Sequence, residues 1–313
     1  METLRNCPLC MSDNTKFLFN SKDFSSNKEE IFSMSKCLKC GVIFLSQRPK
    51  EDEISNYYFN DYKPYLGDYN YLVKKIIKKR TLKEIKLFNK LNNSIQDVLE
   101  IGCSYGKYLN NLKKYGGYRV TGVEIDEDSC LRGQKEYGIK IKNNILTNVE
   151  FPANRFDLII MNHLIEHLYN PEETIKEVFK ILRPGGLIII KTPNFKTLER
   201  KIFKKYWGPY EAPRHLFIFS EKILKKLLNQ SGFKTFNVFY EKTPNNIILS
   251  LKNYLSQKQR GKKISELFNV NNYFLLALLL PFSFLLGKFK QSGRMVIIAK
   301  KPTSVYGDKP KNI

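Results

Sequence analysis

The sequence predicts an α/β chain: a parallel sheet covered on both faces by helices, with a small cysteine-built subdomain ahead of it. Continuous apolar runs of strand length at 98–101, 118–124, 156–161 and 187–190 alternate with helical sequence. Runs of that kind are buried on both faces, which calls for parallel strands joined by crossover helices. Glycines gather where the first run ends, in Gly102-Cys103-Ser104-Tyr105-Gly106. Two Cys-x-x-Cys pairs, Cys7/Cys10 and Cys37/Cys40, mark the first 48 residues.

A chain of 313 residues with 42% hydrophobic content can bury a real core, and one large domain plus a small one is expected. The formal charge of +23 is unusual. It fits either a lysine-rich solvated surface or attraction to anionic partners such as nucleic acid, acidic lipid or phosphorylated substrates. The N-terminus lacks the apolar core of a secretory signal, so a cytoplasmic chain is expected. In that reducing compartment cysteine pairs read as metal ligands rather than disulfides.

Residues 1–48 are expected to form a zinc ribbon. Each pair fits a turn that aims two thiolates at one ion, and the segment between the pairs can form a hairpin. Four thiolates, Cys7, Cys10, Cys37 and Cys40, match tetrahedral Zn²⁺ with no open position, so the site would be structural. Residues 49–92 follow as a Tyr-rich linker, with Tyr57, Tyr58, Tyr62 and Tyr65, and a basic amphipathic helix over 69–92. Apolar Leu72, Ile76, Leu82 and Ile85 alternate there with Lys74, Lys78, Lys79 and Arg80, a pattern that packs one face on a sheet.

Residues 93–240 are expected to hold the main domain. After the glycine turn, Leu109 and Leu112 recur at helical spacing. The next strand, 118–124, ends in Glu124, about 20 residues after the turn, where an acid can accept both hydroxyls of a ribose. A helix over 126–137 and a short strand over 138–141 come next. The buried strand 156–161 leads to a helix over 171–182, opened by Pro171 with Glu172 near its positive end. Arg183-Pro184-Gly185-Gly186 is expected to break that helix before the strand 187–190. Residues 195–219 read as a long irregular stretch of the kind that carries function. A capped helix over 220–231 and a strand over 233–240 complete this part. Residues 241–293 form an apolar and basic insertion. Its run 273–287 is too short and too Pro-interrupted to span a membrane, which leaves an interfacial contact or a helical hairpin buried against the core or in a dimer interface. Residues 294–313 hold a seventh strand, 294–300, and a tail.

These pieces resemble the class I S-adenosylmethionine-dependent methyltransferases. The matching motifs are the run 98–106, Gly122-Val123-Glu124, Phe156-Asp157-Leu158-Ile159, His163-Leu164-Ile165-Glu166-His167-Leu168, Arg183-Pro184-Gly185-Gly186 and Thr192-Pro193-Asn194, in the family's order. The resemblance implies a Rossmann-like, doubly wound, seven-stranded sheet with its last strand antiparallel. It puts the methionine end of the cofactor over Glu100, Gly102, Cys103, Ser104 and Gly106. It gives the ribose to Glu124 with Ile125 beside it, and the adenine edge to Asn143 or Asn144, with Asn162 also at the site. Ser104 stands where the family usually has Gly, and Asn144 where it often has Asp. The cysteine-rich start, the linker and Pro213-Arg214-His215-Leu216 look like a bacterial branch associated with sugar, surface-polysaccharide or secondary-metabolite modification. The first half is also similar to the zinc-containing sugar C-methyltransferases, although their large additional C-terminal domain is not expected here, which makes that closer match the weaker one.

Removing a proton from a hydroxyl acceptor needs a base, and the chain has three histidines. His163 directly follows the fourth strand, at the edge where ligands sit. Glu166 and His167 follow it, as partners in catalysis or as local fold anchors. His215 lies in the long loop beside Arg214, which can clamp an anionic substrate group or anchor the loop. The expected activity is methyl transfer to a sugar or other small molecule, lipid-linked acceptors included, by O-methylation. An RNA methyltransferase and a quinone-type O-methyltransferase are the alternatives. Peripheral membrane contact would run through 270–290.

Overall fold

The computed structural model of the protein describes residues 1–26, 29–58, 71–258 and 261–303. Tyr62 and Tyr65, and the side chain of Leu72, lie outside the described residues.

The ribbon is an antiparallel sheet of β1 (Glu2–Thr3), β2 (Thr15–Lys22), β3 (Ile31–Cys37) and β4 (Ile43–Arg48), in the order β1-β4-β3-β2. The expected hairpin is β2–β3. Gly41, at φ +86°, makes the turn after the second cysteine pair. One strand of this sheet comes from far along the chain. β10 (Phe217–Ile218) pairs with β4 through Phe217–Phe44 and Ile218–Ile43. Phe32, Ile43 and Leu45 therefore share one core with Ile175, Val178 and Phe217.

The main sheet has seven strands in the order β11-β12-β9-β8-β5-β6-β7. They are β5 (Asp97–Ile101), β6 (Arg119–Glu124), β7 (Lys140–Asn143), β8 (Phe156–Asn162), β9 (Leu182–Pro193), β11 (Lys234–Tyr240) and β12 (Arg294–Lys300). β5 pairs in parallel with both β6 and β8, and every one of its residues is buried. β12 runs antiparallel to β9 and to β11, as expected of the last strand. The order reverses between β5 and β8, which opens a crevice at their carboxyl ends.

The helices are held by the signals that the sequence carries. α1 (Tyr71–Leu91) packs on α2 (Lys107–Gly116) through its second half, where Ile85 and Phe88 are buried with Leu112, whereas Ile76 and Leu82, expected on the packed face, are exposed. Asp126 caps α3 (Glu127–Tyr137) by accepting from Ser129 N, and Gly138 ends it in the left-handed region. Pro171 opens α4 (Pro171–Ile181) with Glu172 and Glu173 in its first turn. Ser220 caps α6 (Glu221–Gln230).

Three expectations are corrected. Arg183-Pro184-Gly185-Gly186 does not separate helix from strand but lies within β9. Leu182 already pairs with Phe156, and the register then slips so that Leu158 meets Leu187, the extra residues being taken up at Gly185, φ +77°. Residues 195–219 are not irregular throughout. They hold α5 (Leu198–Phe203), two 3₁₀ turns and β10, because Trp207 and Tyr210 are buried and stack edge to face. Finally, Pro281 does not interrupt the apolar run. After α7 (Asn245–Ser256) and α8 (Lys262–Ser265), α9 (Tyr273–Lys288) continues through it, capped by Asn272. Proline forgoes one intrahelical bond, a local cost that the remaining turns tolerate. Nor is α9 buried against the core: only Ser283, Leu286 and Gly287 of it are buried.

Candidate active site

The glycine turn sits at the carboxyl end of β5. Gly102 and Gly106 have φ of +69° and +74°, which glycine alone adopts freely. A Cβ on Gly102 would come within 2.9 Å of Leu164 Cδ1, so this backbone packs closely against the segment after β8. Ser104 is left-handed as well, at φ +48°. Gly106 precedes α2 without a side-chain cap, leaving the first N–H groups of that helix open to a ligand.

Glu124 ends β6 with its carboxylate facing this turn. One oxygen accepts from Ser104 N at 2.8 Å; the other accepts from Ile125 N at 2.8 Å and Asp126 N at 3.2 Å. An ionised carboxylate offers about four acceptor positions, so room remains for a ribose hydroxyl. Burial pushes its pKa up, and the backbone N–H bonds oppose that. Ile125 beside it is 63% exposed, an apolar face of the kind an adenine ring covers. Asn143 ends β7 rather than following it, and its amide donates to the carbonyls of Glu124 and Ile125. Asn144 N also donates to Glu124 O, while its side chain accepts from Ile145 N.

Glu100 lies beneath the turn. One carboxylate oxygen accepts from Asn162 Nδ2 at 2.6 Å. Complete burial pushes its pKa up to about 8, although Asn162 and Lys191 pull the other way. Cys103 differs from its neighbours. Its side chain turns into the sheet, where a Cβ on Gly122 would meet its sulfur at 2.4 Å, so only its backbone borders the turn.

Buried polar atoms without a hydrogen-bond partner are rare in native proteins, and each calls for a reason. Among the described residues they include Glu100 Oε2, Ser104 Oγ and Asn162 Oδ1, all at this turn, and Glu166 Oε2 nearby.

His163 follows β8 at φ +53°, with its side chain 35% exposed. Its Nδ1 lies 3.3 Å from Oε1 of the fully buried Glu166. Burial raises the Glu166 pKa, but the His163 hydrogen bond and the nearby imidazoles outweigh it and hold the group at about 2. His167 and His215 meet edge to face at 4.6 Å, bringing the loop histidine to the same place. Burial and the neighbouring His215 lower the His167 pKa to about 4. Sequence reasoning missed Tyr58 here as a specific partner: its hydroxyl lies 2.9 Å from His167 Nδ1. Arg214 faces the protein interior. It is fully buried and donates to both oxygens of Asp23 at 2.9 Å, to Tyr57 O and to Ser25 Oγ. In the ribbon the four cysteine sulfurs lie within 4.8 Å of one another, with Cys7–Cys40 at 3.7 Å and Cys10–Cys37 at 3.5 Å.

A seven-stranded sheet of this order, with a glycine turn at its switch point and an acid ending the next strand, is the class I S-adenosylmethionine-dependent methyltransferase fold. Residues 65–238 match the family described as a methyltransferase domain, and the chain belongs to it. A probable S-adenosylmethionine-dependent methyltransferase of Mycolicibacterium smegmatis is 30% identical over 149 residues, 46% of this chain and 56% of that protein. The chain thus spans little more than half the length of that relative. A demethylmenaquinone methyltransferase of Staphylococcus saprophyticus is 27% identical over 186 residues, 51% of this chain and 78% of that protein. A solved S-adenosylmethionine-dependent methyltransferase from Archaeoglobus fulgidus shares the fold at TM-score 0.50 and 21% identity, over 78% of this chain and 100% of that one.

Proposed function

We propose that the chain transfers a methyl group from S-adenosylmethionine to an oxygen of a small acceptor held at a membrane surface, a lipid-linked sugar above all. The single observation that carries the cofactor assignment is the set of unpartnered buried atoms at the turn, Glu100 Oε2, Ser104 Oγ and Asn162 Oδ1. They are polar groups of the right kind for an amino-acid end carrying an ammonium and a carboxylate. When bound, S-adenosylmethionine supplies a methyl group already activated by a sulfonium. Gly102, Ser104 and Gly106 leave backbone space for its methionine end. Glu124 accepts a ribose hydroxyl, Ile125 covers one face of the base, and Asn143 and Asn144 border its edge. His163 takes the acceptor's proton, and Glu166 holds the imidazole in place, the orienting role of a carboxylate behind a base. Such alignment is most of what an in-line displacement asks of a protein.

The acceptor assignment is supported by α9. Phe274, Leu278, Leu280, Phe282, Phe284 and Leu285 are all exposed on it, with Lys288 and Lys290 at its end. Sixteen residues span about 24 Å, short of the roughly 30 Å hydrocarbon core, and among the described residues no helix is long and apolar enough to cross a membrane. An apolar helix with basic flanks suits the interface of an acidic bilayer at the cytoplasmic face. The quinone-type reading is favoured by the menaquinone relative and by the same helix. Tritium-labelled S-adenosylmethionine incubated with the protein and a membrane extract tests the assignment. Label should enter the organic-soluble lipid-linked sugars. Label in quinones alone selects the second reading, and label in RNA alone overturns both.

We also infer a structural zinc ion in the ribbon. A tetrahedron with Zn–S of about 2.3 Å has edges of about 3.8 Å, close to the two short sulfur separations. All four ligands are thiolates, so the ion folds the ribbon and takes no part in chemistry. Metal analysis should find about one zinc per chain for this site.

A further inference from the structure

We propose a second metal site, in which Glu166, His167 and His215 bind a divalent first-row transition ion of the zinc type beside the methyl-transfer site. One ligating atom from each residue lies within 4.8 Å of the other two, and Glu166 and His215 are buried. That ceiling admits the edge of about 3.4 Å that an ion about 2.1 Å from each ligand requires.

The hydrogen-bond chemistry argues for a cation independently. His215 Nδ1 lies 2.7 Å from Pro209 O, which can only accept, so Nδ1 carries the proton. In the neutral ring Nε2 is then a bare acceptor. It faces Glu211 Oε2 at 3.6 Å, another acceptor. Glu166 Oε2 is wholly buried and has no hydrogen-bond partner, while Oε1 of the same carboxylate is held by His163. A bare Nε2 facing a carboxylate oxygen, and a buried carboxylate oxygen without a partner, each call for an extra proton or a metal ion. The Pro209 carbonyl on His215 and the Tyr58 hydroxyl on His167 Nδ1 are the outer contacts that fix the rings of metal-bound histidines.

Two imidazoles and one carboxylate leave positions open on the ion, unlike the four thiolates of the ribbon. The open side takes an oxygen donor, and the ligand class is a hydroxyl or phenol of the acceptor. Its proton is made more acidic by the ion and passes to His163. Occupancy of the site stands without methyl transfer; this last role rests on the function proposed above.

Cobalt(II) chloride titrated into the zinc-loaded protein, with metal analysis of both ions, tests the site. Two ions per chain are expected in total. Cobalt held by nitrogen and oxygen gives visible ligand-field bands without the intense thiolate-to-cobalt charge-transfer band that the ribbon would give. Glu166→Gln and His215→Asn should each lose the second ion while keeping the ribbon zinc, which reports that they are folded. If a variant does not fold, the wild-type titration decides. Saturation at the ribbon ion alone, or a second ion retained in either folded variant, overturns the proposal. One bound cobalt ion with nitrogen- and oxygen-type bands, and no zinc retained, keeps this site and removes the ribbon zinc instead.

Discussion

Glu100 is enclosed at the end of β5, and burial holds its pKa near 8 against a usual 4.5. An acid whose pKa is raised on folding stabilises the fold below its unfolded value and ceases to as pH rises through the folded one. The ligand-free protein should therefore lose stability between about pH 4.5 and 8, which thermal melts across that range would detect. A cationic ligand favours the ionised form, so S-adenosylmethionine should release a proton on binding near neutral pH. Calorimetry in buffers of different ionisation enthalpy would measure it, and Glu100→Gln should abolish it. Ser104 offers a second test. Its left-handed backbone costs about 1–2 kcal/mol, while glycine there would add about 0.5–1 kcal/mol of chain entropy to the unfolded state. Ser104→Gly should then raise stability by no more than about 1.5 kcal/mol, yet weaken cofactor binding if the hydroxyl contacts it. Glu100, Glu124 and the glycines were legible in the sequence because strand, turn and following acid are close neighbours along the chain. Tyr58 was not, since its partner His167 lies far along the sequence and nothing local links them.

Between elements, the ribbon and the segment 195–219 are joined by two features that spacing cannot reveal. One is the pairing of β10 with β4. The other is the enclosed Arg214–Asp23 pair, 191 positions apart. Arg214 read from the sequence as a substrate clamp or a loop anchor, and its burial makes it the anchor. Removing one partner of a buried pair strands the other charge, at a cost of about 3–5 kcal/mol. Arg214→Ala should lower stability by that amount in urea melts. The strands and helices of the main sheet were legible from apolar runs, caps and Pro171, because those signals are local. The course of β9 through Arg183-Pro184-Gly185-Gly186 was hidden, because pairing with β8 overrides the local preference of Pro and Gly to break a strand.

For the molecule as a whole, composition signalled charge but not where it acts. The apolar run read as a membrane contact or as a hairpin buried against the core or in a dimer interface, and only the packing of its neighbours leaves α9 exposed. The protein should pellet with vesicles containing phosphatidylglycerol, less so at high salt. Phe274→Ser with Leu278→Ser should release it, whereas pelleting unaffected by that pair would remove α9 from the contact. The central claim is that the turn at 102–106 and Glu124 hold S-adenosylmethionine. Titration calorimetry of that ligand into the full chain tests it most directly. Saturable binding at one site per chain is predicted, weakened at least about tenfold, or roughly 1.4 kcal/mol, by Glu124→Ala. No binding to the wild-type chain, or equal affinity in the folded variant, would contradict it.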